Sequence, residues 1–174
     1  MPSIKRNDII LYIVSIGICA VSYIILNKNI EISLLPHKIA LEYLFNFNFV
    51  FIENEGYAQA NGLFILARNC LGVKLLISLF LIMVLGFLHK FTNIRHKLAA
   101  LVKFYLIALV LALAVNIIRT AASVPFCTWE RYYLIHNIIS FGLYFASGLI
   151  LYFIMEKNLP KKEGCVNDKN QRSS

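Results

Sequence analysis

The chain has few charged residues, few glycines and few prolines. Only 15% of its 174 residues are charged, and it contains 8 glycines and 4 prolines. A soluble domain of this length needs many more polar side chains to cover its surface, so the composition excludes an ordinary soluble protein. The scarcity of glycine and proline also excludes a fibrous or low-complexity chain.

Motifs that hold common cofactors and metals are absent from the sequence as well. The four cysteines, Cys19, Cys70, Cys127 and Cys165, form no C-x-x-C pair, which is the signature of zinc ribbons and thioredoxin-type enzymes. No histidine–carboxylate cluster has metal-ligand spacing, and no glycine-rich phosphate loop is present. The sequence therefore predicts neither a metal nor an organic cofactor.

Apolar residues dominate what is present. They make up 59% of the chain, and the mean hydropathy is +0.70. Runs of about 18 residues or more are long enough to cross a bilayer. These features predict an all-α integral membrane bundle with about four transmembrane helices in one domain, residues 1–160, with spans at 9–26, 71–88, 98–118 and 138–155. No small-x-small cleavage site closes the first run, so we expect it to stay uncleaved. Residues 161–174 are polar and predict a disordered cytoplasmic tail.

Residues 39–52 form an apolar segment that is too short for a span. Phe45, Phe47, Phe49 and Phe51 recur at period two, which favours an extended or interfacial segment outside the cytoplasm.

The basic residues indicate the orientation of the helices. The net charge of +8 is scattered around hydrophobic runs rather than gathered in one patch, which argues against a nucleic-acid partner. With four spans and the N-terminus inside, more than half of the 17 basic residues fall in short cytoplasmic segments, as the positive-inside rule requires: Lys5, Arg6, Lys90, Arg95, Lys97, Lys157, Lys161, Lys162, Lys169 and Arg172.

This topology brings three reactive side chains to the extracytoplasmic face. Cys70 is predicted in the first turn of the second helix, Arg119 at the end of the third, and His136 at the start of the fourth. A helix N-terminus favours a thiolate, and Lys74, one turn after Cys70, would favour it further. Asn116, one turn before Arg119, and Asn137, next to His136, are predicted to support the site.

Each of these residues also has an ordinary explanation. Cys70 can be a small buried hydrophobe, and Lys74 and Arg119 can extend towards the headgroups. A histidine at a membrane interface is commonly only a polar tip. Together, however, a thiol, an imidazole and a fixed cation are the groups that nucleophilic acyl transfer needs. The residue that orients His136 stays open among Asn137, Glu130, Glu53 and Glu55.

At these residues the chain resembles the exosortase/archaeosortase family of membrane-embedded cysteine transpeptidase-like proteases. The family pattern is Cys-x-Gly at the start of one helix, Asn-x-x-Arg near the end of the next, and His at the start of the following one. Over residues 65–150 this sequence has Cys70-Leu71-Gly72, Asn116-Ile117-Ile118-Arg119 and His136-Asn137 in that order. Many members are longer, so this chain resembles a short bacterial member.

The resemblance implies a role for each residue: Cys70 as nucleophile, His136 as general acid and base, and Arg119 as the stabiliser of the oxyanion or substrate. It also implies that the partners are C-terminal tails of secreted proteins, each with a short motif, a transmembrane helix and a basic cluster. Cleavage would proceed through a thioester at the outer face of the bacterial inner membrane. The motif, the final acceptor and the oligomeric state are left open.

Two other functions fit the same sequence. Cys70 and Cys127 are both predicted outside, where disulfides form, so the chain can be a membrane thiol–disulfide oxidoreductase, although such enzymes typically use a close cysteine pair. It can also be a non-enzymatic assembly subunit that uses Arg119 and Asn116 for contacts between helices.

Overall fold

The computed structural model describes residues 6–53, 55–60, 62, 64–127 and 132–158. Five α-helices and a small sheet make up this part of the chain. The helices are α1 (Arg6–Lys28), α2 (Ile30–Phe45), α3 (Val73–Phe87), α4 (Ile94–Ser123) and α5 (Tyr132–Asn158); the strands are β1 (Phe49–Ile52), β2 (Gly56–Gln59) and β3 (Ile65–Leu66). Short 3-10 turns lie at Arg68–Leu71, Leu88–Lys90 and Val124–Phe126.

Four segments are long and apolar enough to cross a membrane, which confirms the predicted fold class. Within the described residues they are Ile9–Lys28, Arg68–Lys90, Ile94–Phe126 and Leu134–Asn158. Helices α4 and α5 extend several residues beyond the predicted spans at both ends. Arg119 and His136 consequently lie inside helices, each about one turn from the end.

The main core is formed where α3 packs against α4, α5 and α1. Phe80, Phe87 and Phe104 are each 1% exposed there, and the rings of Phe80 and Tyr105 meet edge to face at 5.7 Å. Large apolar side chains on the outer faces of α1, α4 and α5 are exposed instead, as expected for surfaces that contact lipid.

The segment between α1 and α3 folds into a second layer at the end of the bundle that carries Cys70. Strands β1, β2 and β3 form an antiparallel sheet in that order, with Val50 opposite Ala58 and Tyr57 opposite Leu66. The sheet and α2 share a separate apolar cluster, the satellite core, made of Leu34, Leu41, Phe49, Tyr57, Phe64, Leu66 and Val124.

Residues 39–52 are extended only in their second half, and their place at the membrane interface stays a prediction. Residues 49–52 form β1, whereas residues 39–45 are the last turns of α2, which continues through Pro36. The period-two pattern of phenylalanines therefore indicated the strand correctly but concealed the helix before it. Glu130 and the predicted disordered tail lie outside the described residues.

Candidate active site

Cys70 lies in a 3-10 turn at the start of the Arg68–Lys90 segment, before α3 begins. The turn Arg68–Leu71 is closed by a hydrogen bond from the Cys70 amide to the Ala67 carbonyl, 2.8 Å long. Gly72 follows with φ +68°, and α3 begins only at Val73. The prediction that Cys70 occupies the first turn of a helix is wrong, because this left-handed residue separates the turn from α3. The predicted stabilisation of a Cys70 thiolate by the α3 dipole, and by Lys74 on the same helical face, therefore has no structural support.

Gly72 lets the Cys70 turn approach α4 closely. A Cβ at this position would overlap the side-chain amide of Asn116. Any other residue would also be strained at a positive φ, so both the conformation and the contact require glycine. The α4 side of this contact carries a buried polar stripe with helical spacing, formed by Asn116, Arg119, Thr120 and Ser123.

Arg119 is the centre of the site. Its side chain is 6% exposed, and its Nη2 donates to the carbonyl of Asn69, the residue before Cys70, at 3.2 Å. The guanidinium lies within electrostatic range of the Cys70 side chain. His136 also lies within electrostatic range of the guanidinium. Among the described residues, Nε has no hydrogen-bond partner, which leaves one donor of the guanidinium unused.

Tyr144 of α5 joins Arg119 to Asn116. Arg119 Nη1 donates to the Tyr144 hydroxyl at 2.6 Å, and this hydroxyl donates to Asn116 Oδ1 at 2.9 Å. The guanidinium carbon also lies 5.5 Å from the centre of the Tyr144 ring, which adds a cation–π contact. The three side chains therefore link α4 to α5.

Ser123 holds His136. The Ser123 hydroxyl donates to the Arg119 carbonyl at 2.8 Å and lies 2.9 Å from His136 Nδ1. Because a hydroxyl has one proton and a carbonyl can only accept, Nδ1 must be the donor to Ser123. The neutral ring then carries its proton on Nδ1, and Nε2 is the nitrogen that can act as a base. A serine therefore occupies the orienting position that the sequence left open among other residues.

A pocket of about 450 Å³ opens beside Arg119 and His136. The pocket is also lined by the end of α1 and by the predicted supporting residues Lys74 and Asn137, both of which are exposed. No carboxylate is among its described lining residues: Tyr23, Asn27, Arg68, Asn69, Gly72, Val73, Lys74, Arg119, His136, Asn137, Ser140 and Tyr144. Cys70 does not line the pocket itself, but Asn69 and Gly72 on either side of it do. The half-buried thiol packs against the satellite core.

Two further side chains lie on the satellite-core side of the site. Cys127 is a free, half-buried cysteine that packs against the same cluster as Cys70. His37 of α2 is 1% exposed, and neither ring nitrogen has a hydrogen-bond partner among the described residues. Burial, with a smaller contribution from the Arg119 charge, lowers the pKa of His37 to about 4. Sequence analysis had assigned His37 no role.

Three of the residues that build the site gave little signal in the sequence. Tyr144 is one aromatic among many on an apolar helix, and Ser123 is a small residue near a helix end. Gly72 was part of a motif, but its positive φ was not predicted. Helical spacing does connect two of them to predicted residues. Ser123 is four residues from Arg119 on α4, and Tyr144 is eight residues from His136 on α5.

The described residues contain no group of three or more histidines, cysteines and carboxylates that could hold a metal ion. Comparison of the chain with family models, curated proteins and solved structures finds no match. The function of this chain is therefore inferred from the geometry of the site.

Proposed function

We propose that this chain is a membrane cysteine protease or transpeptidase of the exosortase/archaeosortase kind. It cleaves the C-terminal sorting signal of secreted proteins at the outer face of the bacterial cytoplasmic membrane. The signal consists of a short motif, a transmembrane helix and a basic cluster, and the reaction proceeds through a thioester on Cys70.

The position of Arg119 carries this proposal. Its side chain binds the backbone before Cys70 and interacts with the thiol, while its carbonyl anchors the serine that holds His136. Arg119 thus supplies a buried cation and also connects the thiol of Cys70 to the imidazole of His136, whose tautomer is defined. These are the groups from which acyl transfer is built.

In the first half of the proposed reaction, Cys70 attacks the scissile peptide carbonyl. His136 Nε2 takes the thiol proton, and the sulfur forms a bond to the carbonyl carbon. The carbonyl π electrons move to oxygen, where the positive charge of Arg119 stabilises the negative charge. Collapse breaks the C–N bond, and the amine leaves with the proton from His136, so that a thioester remains on Cys70.

The second half repeats these steps with a new nucleophile. Water or an amine gives its proton to His136 and attacks the thioester carbon. The C–S bond then breaks, and the Cys70 sulfur recovers the proton. The sum is hydrolysis or transfer of the acyl group, with no oxidant or reductant required.

A site within the bilayer favours a substrate that has its own transmembrane helix. Such a helix holds the scissile bond at a fixed depth, which removes much of the entropic cost of the encounter. On α5, Gly142 and Ala146 are exposed and four residues apart, and a Cβ at Gly142 would meet nothing within 4 Å. Small residues with this spacing permit close approach of another helix.

The test is processing of secreted proteins with a helix-plus-basic tail in the native host. Cys70→Ala is compared with wild type at matched membrane levels, and Cys19→Ala is the matched control because Cys19 is buried within α1. Removing a catalytic nucleophile costs on the order of a millionfold in rate. We expect precursors to accumulate in Cys70→Ala only, with C-terminal peptides measured by mass spectrometry. Unchanged processing in Cys70→Ala would contradict the proposal.

A second candidate function is thiol–disulfide exchange, favoured by the packing of Cys70 and Cys127 against the same cluster. Cys127→Ala discriminates the two functions. Loss of function in both cysteine variants, together with a disulfide in the isolated wild-type protein, would support exchange. Normal processing in Cys127→Ala supports the protease. If Cys70→Ala is harmless and Arg119→Ala prevents assembly of a complex, the chain is instead a non-enzymatic subunit.

A further inference from the structure

We propose that Tyr144, acting with Asn116, is a positioning residue that holds the Arg119 guanidinium in its reactive place. The inference rests on the proposed function, because it concerns the cation of the same site. The Tyr144 hydroxyl of α5 bonds to two residues of α4, Arg119 and Asn116, so the arrangement also fixes the distance between these helices at the site.

The hydrogen bonds have only one consistent direction. A guanidinium can only donate, so the Tyr144 oxygen accepts from Arg119 Nη1. The single hydroxyl proton must therefore go to Asn116 Oδ1, which can only accept. Each group satisfies the next, and the chain of bonds allows a single orientation of the Asn116 amide. That orientation turns Nδ2 towards Gly72, where the absent Cβ leaves room for it.

Without the Tyr144 hydroxyl, the guanidinium of Arg119 would be held in place less firmly. Its short bond of 2.6 Å would be lost, and the longer bond of 3.2 Å to the Asn69 carbonyl would remain. The guanidinium could then turn about its last torsions and away from the Cys70 turn. A displacement of about 1 Å at a catalytic group can lower a rate by about a hundredfold.

Asn116 is needed for its oxygen rather than for its N–H groups. Oδ1 accepts the tyrosine proton, whereas Nδ2 has no hydrogen-bond partner among the described residues. A leucine at this position has a similar volume but removes the oxygen, and so leaves the Tyr144 hydroxyl without its acceptor.

His136 is held separately, by Ser123. A change at Tyr144 therefore displaces the cation without removing the bond that sets the histidine tautomer. Because the Arg119 charge acts on His136, its displacement should shift the pH profile of processing while the rate falls. A general loosening of the fold would lower the rate and the thermal midpoint without that shift, so the pH profile distinguishes positioning from a merely structural role.

The experiment measures the initial rate of processing in native-host membranes, for a secreted protein that accumulates as precursor in Cys70→Ala. The variants are Tyr144→Phe, Asn116→Leu and the double variant Tyr144→Phe/Asn116→Leu. Tyr105→Phe is the matched control, because it removes a tyrosine hydroxyl bonded to Ser22 at 2.9 Å in the α1–α4 contact. Membrane levels and thermal midpoints in detergent are compared for all variants.

We expect Tyr144→Phe and Asn116→Leu each to lose about a hundredfold in rate, with a shifted pH profile. The double variant should lose no more than either single one, because both changes break the same link. Tyr105→Phe should retain most of the activity.

Wild-type rates in Tyr144→Phe would overturn the inference, as would wild-type rates in Asn116→Leu. Both results presuppose that Cys70→Ala blocks processing. If it does not, the proposed function fails and the inference fails with it, so the two failures are distinguishable.

Discussion

At the residue scale, the tautomer of His136 depends on one serine hydroxyl. Ser123 is fully buried, and its only proton is used by the Arg119 carbonyl. The hydroxyl can thus only accept from Nδ1, which makes it an orienting group as a carboxylate is in the triads of cysteine and serine enzymes. Unlike a carboxylate, it adds no negative charge to stabilise an imidazolium.

Ser123→Ala should therefore lower the processing rate by about a hundredfold or more, since loss of the orienting group in a related triad costs up to about ten thousandfold. The pH profile should shift, because the His136 ring loses a defined partner. Rates are measured across pH 5–9 in the native-host membranes. Ser15→Ala is the matched control, because Ser15 is equally buried and bonds only to its own helix at 2.8 Å. Equal rates in both variants would refute the role of Ser123.

Sequence reasoning reached Cys70, Arg119 and His136 because the topology carries them to one end of the bundle. It could not reach Tyr144, since a tyrosine on an apolar helix has the same pattern as a lipid-facing residue. It also misassigned the environment of Cys70, because a single glycine in a left-handed conformation decides whether the residue is in α3. The catalytic roles of the three residues stay predictions.

At the element scale, α2 is attached through a face that carries a buried histidine. Leu34, His37 and Leu41 are each at most 1% exposed and lie on the side of α2 that packs on the sheet and the Cys70 turn. A neutral imidazole without a partner in this cluster weakens the packing. The sequence missed α2 because its apolar run is short, includes Pro36, and continues directly into the phenylalanine alternation of β1.

The docking of α2 should depend on pH through His37. Its pKa of about 4 lies below the ordinary 6.5, so the undocked form binds more protons between these values. The stability of the docked form is complete above pH 6.5 and falls as the pH drops towards 4, by up to about 3 kcal/mol. The thermal midpoint in detergent should follow this course in wild type.

His37→Leu should remove most of this acid sensitivity and raise the midpoint at pH 4.5, because a partnerless polar group is replaced by an apolar one. His96→Leu, at an exposed position in α4, should leave the pH dependence as it is in wild type. An identical acid response in wild type and His37→Leu would show that other groups control it.

At the scale of the whole molecule, four long apolar runs were sufficient to predict four spans, because length and hydropathy alone decide that feature. Their orientation comes from the positive-inside rule and stays a prediction. It puts the turn between β1 and β2 outside and the turn between α3 and α4 inside.

Single cysteines introduced at Glu55 and His96 test this orientation in a background without the four native cysteines. Both positions are exposed. In intact spheroplasts, a membrane-impermeant maleimide should label Glu55→Cys, whereas His96→Cys should be labelled only after lysis. The reverse pattern would invert the topology and place the site on the cytoplasmic side.

The pocket beside Arg119 and His136 is large enough to influence which product forms. At about 30 Å³ for each water molecule, its 450 Å³ corresponds to on the order of ten waters. A thioester on Cys70 would then lie next to a local supply of a competing nucleophile. Transfer to an amine succeeds only when the acceptor displaces that water, so a bulky acceptor that fills the pocket is favoured over a small one. The partition between hydrolysis and transfer is then a property of the acceptor's volume as much as of its basicity.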